Sequence, residues 1–384
     1  MFSSLASSYM KENQIWKPIS KREIINAKYP NEGVTRGELE VLWGGPLMAL
    51  SRSNKNRPEV KIVSMGERSK TILSNDGDKN PKSSVIIPTY YRPHELSCLF
   101  DSLLEQNAKP GEVIVVDDTP NTEINSLCEK YADKFSRIGV TLAYVKNPRE
   151  RSVSIARNLG GKMAHGDILL FIDSDVILHP NYIEKVLSTF KKHPQALGVA
   201  GWEKVLIDSQ FPEGVLYQSI EILRKLFFLS HFSRNSCNNF EYPLELENTI
   251  YSKYLNGRCS SVKKLVFNEF RFDENLKGYS WMEDFLFSAS IYKKYPQSLL
   301  ISPEAMYTHI NNSETVRTRP KGKNLVEIKR RNRKYVLMQL WGSEGLLIFG
   351  WQNMGILVFR CIAEFRRSVL RRGNENNGLT GGEE

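Results

Sequence analysis

Short apolar runs alternate with segments of helical periodicity between residues 84 and 172. Four of the runs have the unbroken apolar pattern of strands that are buried on both faces: Ser84–Pro88, Glu112–Val116, Val140–Val145 and Asp167–Ile172. Between them, apolar residues recur at helical spacing in three segments: Pro93–Asn107, Asn121–Phe135 and Ser152–Ala164. Strands that alternate with helices in this way indicate βαβ units. The pattern therefore predicts an α/β fold with a mainly parallel sheet flanked by helices.

Hydroxyl and carboxylate side chains follow three of the predicted strands. These residues are Thr89 after the first strand, Asp117 and Asp118 at the second, and Asp173 and Asp175 after the fourth. In open α/β sheets a ligand lies beyond the carboxyl ends of the strands. Two carboxylates at such an edge suit a hard divalent cation, Mg²⁺ or Mn²⁺, bound to a diphosphate, although an isolated pair of this kind is more often an exposed turn.

Five blocks of sequence, taken in order, resemble the nucleotide-sugar half of family-2-type glycosyltransferases with the GT-A fold. The first three blocks are VIIPTYYRP, VIVVDDTP and SIARNLGGKMAHGDILLFIDSDVILHP; the last two are FDENLKGYSWMEDFLFSASIY and YTHINNS. The resemblance covers roughly residues 83–310. It implies a GT-A type nucleotide-diphospho-sugar transferase fold and an inverting transfer of a hexosyl or related sugar to an acceptor hydroxyl, in polysaccharide or glycolipid synthesis.

The resemblance also implies a set of donor-binding residues. The positions that correspond to nucleotide-sugar contacts in the family are Pro88, Thr89, Tyr90, Asp118, Arg157, Asn158 and Asp173. The divalent cation, Mn²⁺ or Mg²⁺, is expected on Asp175, Asp173 and His309. One departure concerns the residues after the first strand, where the family usually has a small residue or Asn and this chain has Tyr90-Tyr91-Arg92.

The same resemblance assigns the catalytic acids. Asp284 resembles the general base that takes the proton of the acceptor hydroxyl, and Glu283 orients that base or touches the acceptor. The implied partners are a nucleotide-diphospho-sugar donor and a saccharide or lipid-linked acceptor. The alternative is that two acids that open an amphipathic helix serve only to complement the helix dipole.

Three regions are predicted along the chain. Residues 1–80 form an N-terminal extension of unassigned role, with strand-like runs at Glu38–Leu42 and Glu59–Val63 and a linker at Arg68–Ser84. Residues 81–310 form the GT-A domain, in which Phe211–Tyr254 contains an aromatic-rich helical stretch. Residues 311–384 form a C-terminal helical segment, both basic and apolar, with a flexible tail.

The formal net charge of +10 is concentrated in that C-terminal segment. From Arg317 to Arg372 there are 14 Lys and Arg against 3 Asp and Glu, so the rest of the chain is almost neutral. This distribution excludes a uniformly basic protein that binds nucleic acid. Five cysteines without a close pair, and an N-terminus that lacks a basic and then an apolar stretch, favour a reducing compartment and hence the cytoplasm.

An uncharged run, Gly345–Phe359, lies within the basic segment. As a helix it is about 22 Å long at ~1.5 Å per residue, short of the ~30 Å hydrocarbon core, which disfavours a transmembrane helix. Two interpretations remain: a helix that packs on the catalytic domain with a solvated basic face, or peripheral attachment to the inner face of a membrane.

Two other function classes explain less of the sequence than sugar transfer does. A nucleotidyltransferase also uses an α/β sheet with metal-binding acids, but it would more naturally open with a glycine-rich phosphate loop, and PTYYRPHE has no glycine. A non-catalytic basic scaffold for membrane or nucleic acid explains only the C-terminal segment. Sugar transfer accounts for all five blocks.

Overall fold

The structure is a computed structural model of the 384-residue chain, and it describes residues 59–64, 81–203, 246–310 and 320–378 together with Leu223, Leu226 and Phe227. The chain divides into two units, residues 1–57 and 58–384. All the described residues belong to the second unit. The predicted strand at Glu38–Leu42, nearly all of the predicted linker and most of the predicted helical stretch at Phe211–Tyr254 lie outside the described residues.

Strands and helices alternate in the first half of the described chain. The strands are β1 (Glu59–Ser64), β2 (Ser83–Thr89), β3 (Glu112–Asp117), β4 (Thr141–Lys146), β5 (Ile168–Ile172), β6 (Val176–Leu178), β7 (Gly198–Glu203), β8 (Ile250–Tyr251), β9 (Cys259–Lys263) and β10 (Leu299–His309). The helices are α1 (Pro93–Leu104), α2 (Glu123–Arg137), α3 (Val153–Met163), α4 (Tyr182–Lys192), α5 (Lys264–Glu269), α6 (Glu283–Lys294) and α7 (Gly322–Gly378).

Within the described residues, the strands form one sheet in the order β1-β4-β3-β2-β5-β9-β7-β10-β6, and β8 pairs with β10. The strands β4, β3, β2 and β5 are parallel, as predicted. β1 lies in the segment predicted as an N-terminal extension and adds to β4 in the antiparallel sense. The α/β fold class and the C-terminal helix are thus confirmed.

Beyond β5 the sheet is mixed rather than mainly parallel, which corrects the prediction for this half. β9 runs antiparallel between β5 and β7, and β10 pairs in parallel with β7 and antiparallel with β6 and β8. β9 lacks the apolar pattern of a buried strand, because its buried positions include Ser260 and Ser261. β6 and β8 are only three and two residues long.

Two apolar layers cover the faces of the sheet. Side chains alternate between the faces, so Val85 and Ile87 of β2 join one layer and Ile86 joins the other. The first layer includes residues of α1, α2 and α4, and the second includes residues of α3, α5 and α6. With helices on both faces, the edge formed by the carboxyl ends of β2, β3 and β5 is the place left for a ligand.

The C-terminal helix α7 is broken at Gly342, whose backbone has φ 58° and ψ −131°. We call residues 322–341 the first arm and residues 343–378 the second arm. The second arm turns back on the first, since the guanidinium of Arg333 donates a hydrogen bond to the side chain of Asn353. The first arm packs on α6 through an apolar cluster that comprises Leu276, Met282, Leu286, Val336, Leu337 and Leu340.

The contact between the two arms predicts opposite effects for two glycines of the second arm. A Cβ on Gly345 would lie 2.2 Å from the carbonyl oxygen of Leu337, whereas a Cβ on Gly350 would meet nothing within 4 Å. We expect Gly345→Ala to lower the free energy of unfolding by about 1–3 kcal/mol, because the arms must separate. Gly350→Ala should raise it by about 0.5–1 kcal/mol, because alanine favours the helix. Urea unfolding of both variants measures the difference, and equal stabilisation by both would show that the arms do not touch.

Candidate active site

A cleft lies at the carboxyl ends of β2, β3 and β5. Its wall contains ten of the eleven residues predicted for the site: Pro88, Thr89, Tyr90, Asp118, Arg157, Asp173, Asp175, Glu283, Asp284 and His309. The eleventh, Asn158, does not line the cleft. Its side-chain amide bonds instead to the backbone of Phe272 and to the carboxylate of Glu274, at 2.8 to 3.0 Å.

One end of the cleft is formed by Thr89, Tyr90 and Asp118. The buried hydroxyl of Thr89 has no hydrogen-bond partner among the described residues, so it can bond to a ligand. The carboxylate of Asp118 accepts bonds from the side chain of Asn147 at 2.5 Å and from the backbone N–H of Ser152 at 3.2 Å. Burial nevertheless raises the pKa of Asp118 to about 6.

The neighbouring Asp117 has a structural role, because its hydrogen bonds hold two strands together. Its fully buried carboxylate accepts hydrogen bonds from the hydroxyl of Tyr144 at 2.9 Å, the ammonium of Lys146 at 3.2 Å and the backbone N–H of Thr119 at 2.7 Å. These bonds tie the end of β3 to β4. Of the two adjacent acids, Asp118 is therefore the one that faces the cleft.

Arg157 of α3 connects the acids in the middle of the cleft. Its guanidinium is fully buried and donates to Asp173 at 2.8 Å, to Glu283 at 2.9 Å and to the carbonyl of Gly257 at 2.6 Å. Burial and, to a smaller extent, the negative charge of Asp284 raise the pKa of Glu283 to about 8. Burial also raises the pKa of Asp173, against the effect of Arg157.

Asp284 is held by the backbone at the start of α6. One of its carboxylate oxygens accepts the N–H of Gly257 at 2.8 Å and the other accepts the N–H of Phe285 at 2.8 Å. The residue before the two acids, Met282, has a left-handed backbone with φ 75° and is buried in the cluster between α6 and α7. The acids are thus presented to the cleft by a helix start that α7 supports.

Asp175 is the predicted metal ligand that best fits a divalent cation. Its carboxylate oxygen Oδ2 lies 3.4 Å from Nε2 of His309, so both groups can reach one ion, whereas Asp173 is turned to Arg157. The described residues contain no group of three or more His, Cys, Asp or Glu side chains arranged to hold a metal. Asp175 and His309 nevertheless suit Mg²⁺ or Mn²⁺, since such ions commonly take one or two protein ligands and complete their coordination shell with phosphate and water.

The cleft also contains two arginines that the sequence reasoning did not assign. Arg92 forms an ion pair with Asp175, and the guanidinium of Arg151 lies 3.6 Å from the centroid of the Tyr90 ring. Arg92 belongs to the Tyr90-Tyr91-Arg92 run that departs from the family pattern, which was the one sequence signal for it. No comparable signal pointed to Arg151. Gly257 and Arg258 also line the cleft.

Comparison with known proteins shows which sequences and structures this chain resembles. Residues 84–240 match the sequence model of "Glycosyl transferase family 2". An uncharacterized glycosyltransferase of Haemophilus influenzae is 32% identical over 111 residues, 29% of this chain and 35% of the relative. The glucosyl-dolichyl phosphate glucuronosyltransferase of Haloferax volcanii is 30% identical over 122 residues, 31% of this chain and 37% of the relative. The chain thus spans little more than a third of the length of these two relatives.

Among solved structures, the crystal structure of S. aureus TarS 1-349 is similar with a TM-score of 0.45 and 20% sequence identity. The similarity covers 72% of this chain and 72% of that one.

Asp118 makes the stability of the domain depend on pH. Its pKa is about 6 in the folded chain and about 4 in an unfolded one. Between these values the folded chain keeps a proton that the unfolded chain has lost, so this residue's contribution to the free energy of unfolding falls as pH rises from about 4 to about 6. We expect Asp118→Asn to remove that contribution, as measured by urea unfolding across the interval.

A matched control for this measurement is Asp133→Asn, which alters an exposed aspartate of α2. Its curve of unfolding free energy against pH should run parallel to that of the wild type. If the Asp118→Asn curve is parallel to the wild type as well, burial does not perturb Asp118.

Proposed function

We propose that this chain is an inverting glycosyltransferase, because residues 84–240 match the sequence model of glycosyl transferase family 2. It moves a hexosyl or related sugar from a nucleotide-diphosphate donor to an acceptor hydroxyl. The observation that carries the proposal is the cleft itself, whose wall combines Thr89, Asp118 and Asp284 with Arg157 and the two acids that it binds.

Asp284 is the proposed general base. Its carboxylate is fixed by two backbone N–H groups and faces the cleft, so it can take the proton of an acceptor hydroxyl as that oxygen attacks the sugar. Glu283, whose carboxylate is bound by Arg157, does not act as a nucleophile in this scheme. One base and no protein nucleophile correspond to a single displacement, which inverts the configuration at the sugar carbon.

The donor is bound by residues along the sheet edge. The carboxylate of Asp118 can accept a hydrogen bond from the nucleoside, and the hydroxyl of Thr89, which has no partner among the described residues, can form another. The ring of Tyr90 provides an aromatic wall. Asp175 and His309 would hold a divalent cation, Mn²⁺ or Mg²⁺, which neutralises the charge of the leaving diphosphate when it is bound. Arg157 contributes indirectly, since it positions Asp173 and Glu283.

A lipid-linked acceptor is consistent with both a relative and the C-terminal helix. The archaeal relative is named for transfer to glucosyl-dolichyl phosphate, a sugar on a lipid. The first arm of α7 contacts Trp281 in the cleft wall: Asn332 donates to the carbonyl of Trp281 at 3.1 Å, and the ammonium of Lys329 lies 5.7 Å from the Trp281 ring. We place the chain in polysaccharide or glycolipid synthesis on this basis.

The second arm of α7 offers a surface for peripheral attachment to the inner face of a membrane. Exposed apolar residues fall on one side of the helix: Leu346, Leu347, Met354, Leu357 and Ile362. By length and composition the helix Gly322–Ile362 could also cross a membrane, with 17% of its most apolar window buried. The break at Gly342 and the charges of Glu344 and Arg360 favour a helix that lies in the lipid surface.

The base assignment predicts that Asp284→Asn separates donor binding from turnover. A panel of UDP, GDP and dTDP, with and without Mn²⁺, first identifies the nucleotide that raises the Tm of the wild type. Asp284→Asn should show the same shift with that nucleotide, while its release of nucleoside diphosphate from the corresponding sugar donor falls by about 10²–10⁴-fold.

Two results would oppose this scheme. Wild-type turnover by Asp284→Asn would remove Asp284 from the role of base. A wild-type chain that none of the nucleoside diphosphates stabilises would contradict the proposed function and leave a scaffold as the alternative.

The membrane proposal predicts that negative charges introduced on the exposed apolar side of the second arm abolish lipid binding. Leu347 and Leu357 are 68% and 60% exposed, so the double variant Leu347→Asp/Leu357→Asp should fold normally. We expect the wild type to float with phosphatidylglycerol vesicles at low salt and the double variant to sediment. Leu265→Asp alters an exposed leucine of α5 and should float like the wild type. Flotation of the double variant would contradict the membrane proposal and indicate that α7 only packs on the catalytic domain.

A further inference from the structure

The predicted metal ligand is already paired with a cation of the chain itself. The guanidinium of Arg92 lies 2.7 Å from Oδ2 of Asp175, the same oxygen that faces His309. The side chain of Asp175 is 2% exposed and that of Arg92 is 17% exposed. A buried carboxylate needs a counter-ion, and in this state Arg92 provides one.

The backbone before Arg92 directs its side chain into the cleft. Tyr91 has a left-handed conformation with φ 52°, and its N–H donates to the hydroxyl of Thr119 at 2.9 Å. Pro93 then begins α1. Arg92 thus sits between a constrained turn and a helix start, so its backbone is fixed while its long side chain can still reorient.

The other ionic contacts of the cleft differ from this one. Arg157 is fully buried and holds three oxygens, so it cannot leave Asp173 or Glu283 without exposing both acids. Arg258 is paired with Glu203. Among the described residues, Arg92 has Asp175 as its ion-pair partner and retains access to the open part of the cleft.

We infer that Arg92 is a displaceable counter-ion of Asp175 that couples the binding of a divalent cation to the binding of the donor diphosphate. Arg92 and a divalent cation cannot share the same carboxylate oxygen, because two positive charges at such a distance repel strongly in a buried site. We therefore expect Arg92 to leave when a cation binds to Oδ2 of Asp175 and Nε2 of His309. A planar guanidinium is well suited to two phosphate oxygens, so the diphosphate is the anion that receives it.

This coupling rests on the proposed function, because it needs a nucleotide diphosphate in the cleft. It has a thermodynamic signature in the wild type. Mn²⁺ alone has to break the Arg92–Asp175 pair and binds weakly, whereas Mn²⁺ with a nucleoside diphosphate transfers Arg92 to a new partner. Each ligand should therefore strengthen the other by the same factor, on the order of 5–150-fold.

The test is calorimetric titration of MnCl₂ into the chain, with and without saturating UDP, GDP or dTDP, for the wild type and Arg92→Gln. Arg92→Gln removes the guanidinium from Oδ2 of Asp175, so we expect this variant to bind Mn²⁺ alone about tenfold more tightly than the wild type does. The enhancement by nucleotide should fall to about twofold or less, because no guanidinium is transferred. Both readouts are binding constants and need no acceptor or turnover.

Two controls separate this role from a general change in charge. Arg92→Lys keeps a cation at Asp175 and should retain weak binding of Mn²⁺ alone. Arg149→Gln removes an arginine that pairs with Glu274 outside the cleft, and it should match the wild type in both titrations. The Tm of each variant shows whether it is folded.

An unchanged or weaker affinity of Arg92→Gln for Mn²⁺ alone would overturn the inference, as would full retention of the enhancement by nucleotide. Failure of the proposed function gives a different result: the wild type binds none of the nucleotides. In that case the Mn²⁺ titrations without nucleotide still decide whether Arg92 is the counter-ion of Asp175.

Discussion

The buried guanidinium of Arg157 is the interaction on which the geometry of the cleft depends. It joins the end of β5, the start of α6 and the loop before β9 through Asp173, Glu283 and the carbonyl of Gly257. A charge taken out of water is tolerated only when its hydrogen bonds are made by well-placed partners, and loss of one partner of such a network costs about 3–5 kcal/mol. The three segments are therefore held in one arrangement, although up to 126 residues separate them along the chain.

The order of the strands explains why one arginine can reach all three segments. β9 is inserted antiparallel beside β5, so that Cys259 pairs with Ile172 and the loop that precedes β9 lies next to the residues that follow β5. Asp173 donates its backbone N–H to the carbonyl of Arg258 at 2.8 Å, which continues this contact into the cleft. Because β9 runs antiparallel to β5, its first residues lie beside the last residues of β5, and Gly257 comes next to Asp284 and Arg157. The start of a parallel strand would lie at the opposite edge of the sheet.

Much of the first half of the fold could be predicted from the sequence, because strands buried on both faces leave unbroken apolar runs. The acids of the site could be placed for a similar reason: Asp118, Asp173 and Asp175 follow strands whose carboxyl ends share one edge. Asn158 shows the limit of this reasoning. It adjoins Arg157, but neighbouring residues of a helix point about 100° apart, and it bonds to Phe272 and Glu274 rather than facing the cleft.

Contacts between distant segments could not be predicted in this way. β9 has two serines among its five residues and no apolar pattern, so its place in the sheet depends on its neighbours. The pairing of Arg92 with Asp175 depends on the left-handed turn at Tyr91, a conformation that a tyrosine rarely adopts. Neither feature has a local signature in the sequence.

The C-terminal helix connects the acids of the cleft to the surface proposed to meet lipid. Val336, Leu337 and Leu340 of its first arm pack against Met282, the strained residue that precedes Glu283 and Asp284. The ammonium of Lys293, near the other end of α6, donates to the carbonyl of Leu340 at 2.6 Å. A left-handed methionine costs about 1–3 kcal/mol and persists only where its surroundings fix it. Since α7 supplies much of that packing, any displacement of α7 would be transmitted to the start of α6 and hence to Asp284.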